Sequence, residues 1–263
     1  MDHQQLLDYI PDKTLLKDRV ILVTGASDGI GRAIAKAYAQ HGATVVLLSK
    51  TIKKLEAVYD EITEMGAPEP AIYPLHLEGA SVHDYEKMAE IIAEQLGRLD
   101  GIALNAGWLP GYTPLKYYDV EMWSKALTTN LHANFLIVKA CLPLLEKADD
   151  AAVIFSSHAA SEAYNGAYGV AKAGSDALLK IMADEYSDKP FIRVNGIDTG
   201  PVRTHLRTHH FPGEDPDTLA KPEAFTGAYL YFMGSDAGTQ TGEIIRFERL
   251  PGDACWLGAC PRI

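Results

Sequence analysis

The chain has 263 residues, a length that one α/β domain commonly fills, and we expect a single domain over residues 1–263. Hydrophobic residues make up 47% and charged residues 22%, a composition that allows a sizeable core and excludes disorder as the main state. The formal net charge of −11 would repel phosphate backbones and anionic lipid. We therefore expect a small-molecule substrate, and neither nucleic acid nor a membrane as partner.

The N-terminal segment lacks the basic start and apolar stretch of a signal peptide, and no apolar run is long enough to span a bilayer. The three cysteines, Cys141, Cys255 and Cys260, form no CxxC pair and are too few for a disulfide framework. These features predict a cytoplasmic protein.

Short apolar runs alternate with helical patterns along the chain. They predict buried strands at residues 20–24, 44–48, 71–77, 101–105, 151–157 and 191–197, with a weaker one at 243–247. Strands joined by crossover helices form a parallel sheet, so we expect a doubly wound α/β fold of about seven strands with helices on both faces. The segment 200–222 is too long for an ordinary connection and is predicted to form a substrate lid. Residues 248–263 are predicted to form a C-terminal tail.

The first predicted strand runs into a glycine-rich turn followed by a helix. Gly25 allows a tight turn, Gly29 lets the backbone approach a phosphate, and Gly31 permits close helix packing. The other residues predicted to contact a cofactor here are Ser27, Asp28 and Ile30. Strand, turn and helix in this order indicate a site for a dinucleotide pyrophosphate, whereas the absence of GK[ST] excludes a mononucleotide P-loop.

The GxxxGxG spacing of the turn, together with Asn105-Ala106-Gly107 after the fourth strand, resembles the short-chain dehydrogenase/reductase family over about residues 16–247. The resemblance implies a Rossmann-type fold and hydride transfer between a nicotinamide cofactor and a carbonyl or alcohol. It assigns to Asn105 a role in bracing the sheet. It also assigns cofactor contacts to Leu77, Asn105, Ala106, Gly107, Gly200, Val202 and Thr204.

Three tyrosines are followed four residues later by lysine, and two of these segments contain a proline that breaks the helical turn. Only Tyr168 and Lys172 lie in a helix-forming segment that presents both side chains on one face. Lys172 would favour the phenolate, and Tyr168 would serve as general acid/base. By resemblance, both residues also contact the cofactor.

The fifth strand ends in Ser156-Ser157-His158. The resemblance assigns substrate orientation to Ser157, although its distance along the chain from Tyr168 is about two residues shorter than is usual, which leaves Ser156 as an alternative. His158 invites a serine-histidine hydrolase hypothesis, but adjacent residues on a strand face opposite ways. Asn130 matches the family's asparagine that supports a water relay to the lysine, and its alternative interpretation is a local helix irregularity.

Cofactor choice is predicted from the end of the second strand, where an acidic residue is usual in NAD-binding proteins. This chain has Ser49 and Lys50 there, which leave room and supply charge for a 2′-phosphate, so NADP(H) is favoured over NAD(H). Against this, Asp28 is not the basic residue that many NADP-binding relatives carry. His76 also replaces the usual aspartate near adenine.

The substrate side is predicted to be aromatic, with walls formed by Trp108, Tyr112, Tyr164 and Phe211. Arg203 and Arg207 are hypothesised to attract an anionic substrate group. His205, His209 and His210 lack a carboxylate or thiol at supporting spacing, so no metal site is assigned.

These patterns predict an NADP(H)-dependent carbonyl reductase or alcohol dehydrogenase with Asn130, Ser157, Tyr168 and Lys172 as its active tetrad. The alternatives are a 3-oxoacyl thioester reductase and a non-catalytic NADP(H)-binding regulator. By resemblance, a homodimer or homotetramer forms through two long helices at about residues 119–145 and 166–185. Substrate, direction and stereochemistry stay open, because a fold does not select them.

Overall fold

A computed structural model describes residues 2–247, and the predicted C-terminal tail over 248–263 lies outside the described residues. Its strands are β1 (Val20–Thr24), β2 (Thr44–Ser49), β3 (Ala71–Pro74), β4 (Gly101–Leu104), β5 (Ala151–Ser156), β6 (Ile192–Asp198) and β7 (Ile244–Arg246). All pair in parallel in the order β3-β2-β1-β4-β5-β6-β7. This confirms the predicted doubly wound sheet, and the order reverses between β1 and β4, where such sheets open a binding crevice.

Helices cover both faces of the sheet. They are α1 (His3–Leu7), α2 (Gly29–Gln40), α3 (Ile52–Glu64), α4 (Val82–Leu96), α5 (Val120–Leu127), α6 (Ala133–Leu145), α7 (Gly166–Glu185), α8 (His205–His210) and α9 (Thr226–Met233). One buried cluster joins the sheet to α1, α2, α3 and α9, and the other joins it to α4, α6 and α7. Because both faces are buried, the central strands are almost entirely apolar.

Two predicted elements differ from the structure. The strand expected over 71–77 ends at Pro74, because the chain then enters a turn in which the Gly79 N–H donates to the His76 carbonyl. The long helix expected over 119–145 is interrupted by a π-helical turn at Thr128–His132, which separates α5 from α6. Such turns occur frequently at functional sites.

Two buried arginines and one half-buried carboxylate fix the N-terminal end of the sheet, opposite the crevice. Arg19, which precedes β1, and Arg193 on β6 both bond the Asp150 carboxylate, which precedes β5. Burial raises the pKa of Asp150, but hydrogen bonds and charge from Arg193 and then Arg19 hold it below its ordinary value. The three strands are thereby tied together at their N-terminal ends.

No helix within residues 2–247 is long and apolar enough to cross a membrane. The cytoplasmic location expected from the sequence stays a prediction.

Candidate active site

A cavity of about 680 Å³ lies at the carboxyl ends of the strands. Most of the residues singled out in the sequence line it, namely Gly25, Ser27, Asp28, Gly29, Ile30, Ser49, Lys50, Leu77, Asn105, Ala106, Gly107, Ser156, Ser157, Tyr168, Lys172, Gly200, Val202 and Thr204. Gly31 and Asn130 are not among the residues that line the cavity. The fold thus brings together in one space residues that are distant in the sequence.

The glycine turn forms a cradle that side chains would fill. Gly25 and Gly29 have φ of +67° and +53°, which favour glycine. A Cβ on Gly31 would clash with the Gly25 carbonyl oxygen. Asp28 caps the following helix by accepting from the Gly29 N–H at 2.8 Å. Bare backbone at a helix N-terminus fits a dinucleotide pyrophosphate, so the residues present suit a nicotinamide cofactor.

Thr24 joins the turn to the end of β4. Its Oγ1 accepts from the Asn105 N–H at 3.0 Å and from the Ala106 N–H at 2.9 Å. The Asn105 side-chain amide also donates to the Thr24 carbonyl at 3.3 Å. These bonds fix the loop after β4 against the glycine turn.

Asn130 is fully buried in the π-helical turn. Its Oδ1 accepts from the Trp108 N–H at 2.9 Å, and its Nδ2 donates to the carbonyls of Trp108 and Ala126, both at 2.8 Å. The side chain therefore holds the loop after β4. Its backbone carbonyl accepts from the Ser175 hydroxyl of α7 at 2.9 Å.

Tyr168 and Lys172 lie one turn apart on α7, with the lysine Nζ 5.7 Å from the centre of the tyrosine ring. Burial raises the pKa of Tyr168, and the charges of Tyr112 and Asp198 raise it further. These effects oppose the lowering of the Tyr168 pKa that is expected from Lys172, and that lowering stays a prediction.

Lys172 is buried, and its ammonium donates to the Ser156 carbonyl at 2.7 Å. Burial lowers its pKa to about 8, while the charges of Asp176 and Asp198 act in the opposite direction. The lysine can therefore change charge near neutral pH.

The two strand-end serines point to different partners. The Ser156 hydroxyl lies 3.2 Å from the Asn105 Oδ1 and 3.0 Å from the Tyr229 hydroxyl. The Ser157 hydroxyl donates to the Asp176 Oδ1 on α7 at 2.6 Å.

The far end of the cavity, beside the C-terminal end of β2, is polar. The hydroxyls of Ser27 and Ser49 lie 2.7 Å apart, and Lys50 is exposed beside them. Lys54, in the first turn of α3, also lines the cavity and bonds Asp28 at 2.6 Å. Lys54 was not predicted from the sequence, although its position shortly after the end of β2 could have indicated it.

Asp198 is a second residue that the sequence analysis missed. It is buried at the end of β6 and accepts from the N–H groups of Ala159 and Gly200 at 2.8 and 3.0 Å. The rule that places ligands at the carboxyl ends of parallel strands could have found it.

The segment predicted as a lid contributes one wall of the cavity. Phe211 packs edge-on against Tyr112 with ring centres 5.4 Å apart. Arg207 binds Glu214 with a 2.6 Å bond, and Arg203 binds Asp217 at 2.6 Å. Both arginines thus have carboxylate partners within the segment, which weakens the hypothesis that they attract an anionic substrate.

The aromatic residues predicted on the substrate side do not all line the cavity. Trp108, Tyr112 and Phe211 line the cavity, whereas Tyr164 is exposed outside it. Within residues 2–247, no group of three or more His, Cys, Asp or Glu side chains could hold a metal ion.

The model of the short chain dehydrogenase family matches residues 19–215, and the chain belongs to this family. This membership confirms the resemblance seen in the sequence. The family consists of oxidoreductases that use nicotinamide cofactors.

Among individual proteins, the chain is similar to the uncharacterized oxidoreductase YciK of Escherichia coli (strain K12), with 38% identity over 94% of this chain and 97% of the relative. A candidate short chain dehydrogenase from Pseudomonas syringae shares 40% identity, covers 91% of this chain and 98% of its own, and superposes with a TM-score of 0.89. A candidate short chain dehydrogenase from Escherichia coli CFT073, solved in complex with NADPH, is 38% identical, with coverages of 90% and 99% and a TM-score of 0.86.

Proposed function

We propose that the protein is an NADP(H)-dependent reductase of carbonyl compounds, or a dehydrogenase of the corresponding alcohols, with Tyr168 as general acid/base. The observation that carries this proposal is that Tyr168 and Lys172 share one cavity with the glycine turn. A proton donor and a dinucleotide cradle therefore face the same space.

Burial raises the pKa of Tyr168, which keeps the phenol protonated at neutral pH but makes it a weaker acid. Transfer of its proton to a substrate oxygen therefore requires the phenolate to be stabilised. Lys172 holds an ammonium beside the ring below about pH 8 and stabilises the phenolate left after the transfer.

A bound nicotinamide cofactor would supply the hydride. Gly25, Gly29 and Gly31 would accommodate its pyrophosphate. Asn105, with Thr24, keeps the loop after β4 in place, and Asn130 anchors the same loop from the π-helical turn. A water relay through Asn130 to the lysine stays a prediction.

Preference for NADP(H) is supported by the far end of the cavity. Ser27 and Ser49 provide hydroxyls, and Lys50 provides charge suited to a 2′-phosphate. The NADPH complex of the Escherichia coli CFT073 relative points in the same direction. Asp28 is no obstacle, because Lys54 pairs with it.

The substrate side favours apolar or aromatic carbonyl compounds, since Trp108, Tyr112 and Phe211 line it. A 3-oxoacyl thioester stays an alternative within the same chemistry.

Association into a homodimer or homotetramer belongs to the same proposal. An exposed stripe on α7 supports it, formed by Val170, Ala173, Ala177 and Ile181. Phe135 on α6 is also exposed. Exposed apolar residues at helical spacing suit packing of one protomer on another.

The test follows oxidation of NADPH and of NADH with cyclohexanone, nitrobenzaldehyde, phenanthrenequinone and acetoacetyl-coenzyme A. We expect turnover with NADPH, and a loss of at least about 100-fold in Tyr168→Phe, because the proton donor is removed. Tyr117→Phe, which alters an exposed tyrosine outside the cavity, is the matched control. NADPH binding without turnover of any carbonyl would instead favour the non-catalytic regulator.

A further inference from the structure

Within residues 2–247, neither strand-end serine makes a hydrogen bond to Tyr168. Ser156 is the last residue of β5, and the Ser157 N–H continues the ladder by donating to the Ile197 carbonyl at 2.9 Å. Successive side chains on a strand face opposite sides of the sheet. Ser156 consequently faces Tyr229 on α9, and Ser157 faces Asp176 on α7.

The next residue, His158, leaves the strand and enters the cavity. Its ring centre lies 6.0 Å from that of Tyr168, with the rings tilted by 53°. Its side chain is 34% exposed. His158 therefore occupies the wall beside the proposed proton donor.

Asp198 fixes the orientation of His158. The His158 Nδ1 lies 3.2 Å from the Asp198 Oδ1, and the carboxylate is only 8% exposed. Burial raises the pKa of Asp198, but the hydrogen bond to His158 and its charge, with the N–H groups of Ala159 and Gly200, hold it below the ordinary value. An ionised carboxylate only accepts, so Nδ1 carries a proton and donates to it.

We propose that His158, oriented by Asp198, is the group that binds the substrate's carbonyl oxygen next to Tyr168, in place of Ser157. This inference rests on the proposed reductase activity. The His158 Nε2 makes no hydrogen bond to another residue in the part of the chain that the structure describes, and it is the ring's second donor when the imidazolium forms.

The roles of the two residues are complementary. The Nε2–H donates a hydrogen bond to the carbonyl oxygen and draws electron density from it. As hydride adds to the carbonyl carbon, the π bond breaks and its electron pair goes to oxygen, which takes the Tyr168 proton. His158 keeps its own proton throughout, so each turnover consumes one hydride and one proton.

Two variants of His158 test the proposal with NADPH and the fastest carbonyl of the four probes. We expect His158→Ala to lower kcat about 100-fold, the effect of losing one oxyanion donor, with the NADPH dissociation constant unchanged. His158→Gln places an amide donor near the position of Nε2 and should recover at least about 10-fold of that loss.

Ser157→Ala and Tyr168→Phe separate the outcomes. We expect Ser157→Ala to lose less than about 10-fold, because its hydroxyl bonds Asp176. A loss in Ser157→Ala as large as that in His158→Ala, or no rescue by His158→Gln, would overturn the role of His158 while Tyr168→Phe stays inactive. Activity retained in Tyr168→Phe, or no turnover of any probe, would overturn the proposed function and this inference with it.

Discussion

Lys50 is the residue through which cofactor preference is best tested. It is exposed at the end of β2 and lines the cavity, and it has no ion-pair partner within residues 2–247, so its charge can meet a 2′-phosphate. We expect Lys50→Ala to raise KM for NADPH about 10-fold, about 1.4 kcal/mol of binding, and to change KM for NADH less than about 2-fold.

Lys53→Ala is the matched control, because Lys53 is exposed on the same segment but does not line the cavity. Equal effects of Lys50→Ala on both cofactors in steady-state kinetics would contradict a phosphate contact.

Lys172 makes stability depend on pH. Burial lowers its pKa from 10.5 to about 8. Below about pH 8 the folded protein must keep a buried ammonium, whereas above it the folded state has released a proton that the unfolded chain still holds. Stability attributable to this group therefore rises with pH between about 8 and 10.5.

Lys172→Met removes this titration. The quantity to compare is the free energy of unfolding of the variant minus that of the wild type. We expect this difference to fall by about 2 kcal/mol from about pH 7 to about pH 9.5, because the wild type gains stability over this range. Urea unfolding at both pH values measures it, with Lys180→Met on the exposed side of α7 as control. A difference independent of pH would show that the lysine titrates normally in the folded state.

The roles of individual residues were only partly predictable. Tyr168 and Lys172 were identified together, because helical periodicity places residues four apart on one face. The directions of Ser156 and Ser157 depend on α9 and α7, which lie far along the chain, so the sequence could not show which groups their hydroxyls bond.

At the scale of elements, the π-helical turn connects α5, α6 and the loop after β4. Asn130 makes three side-chain hydrogen bonds there while fully buried. We expect Asn130→Ala to lower the free energy of unfolding by about 3 kcal/mol, because buried backbone groups of Trp108 and Ala126 lose their partners. NADPH affinity should fall as well, since Ala106 and Gly107 line the cavity.

Ser124→Ala provides the comparison, because the Ser124 hydroxyl bonds the Val120 carbonyl within α5 at an exposed position. Chemical denaturation should show a change below about 0.5 kcal/mol for this variant. Similar values for the two variants would mean that the Asn130 bonds add little stability.

Strand positions were predicted closely, since buried parallel strands form continuous apolar runs. Their ends were less predictable, as β3 shows, because backbone hydrogen bonds to neighbouring segments decide where pairing stops. An irregular helix at Asn130 was one of two interpretations of the sequence. The bonds of its side chain to Trp108, which lies outside the helix, could not be predicted from a local pattern.

At the scale of the whole molecule, the exposed stripe on α7 predicts self-association. Val170 is 50% exposed, and we expect Val170→Glu to reduce the molar mass in light scattering toward that of one chain, because a charge would be buried in the interface. Val82→Glu makes the same change at a residue 48% exposed at the start of α4 and should leave the mass unchanged. The same mass for both variants and wild type would exclude this face as the interface.

The sequence by itself determined the class of fold, the dinucleotide turn and the tyrosine-lysine pair, because each depends on local periodicity or on contiguous residues. Only the tertiary structure decided how the strand ends face one another. In the folded chain Lys54 pairs with Asp28, and the Ser157 hydroxyl donates to Asp176. His158 bonds Asp198 and lies next to Tyr168. These pairs join segments up to 40 residues apart, and such contacts arise from packing across the sheet rather than from any local pattern.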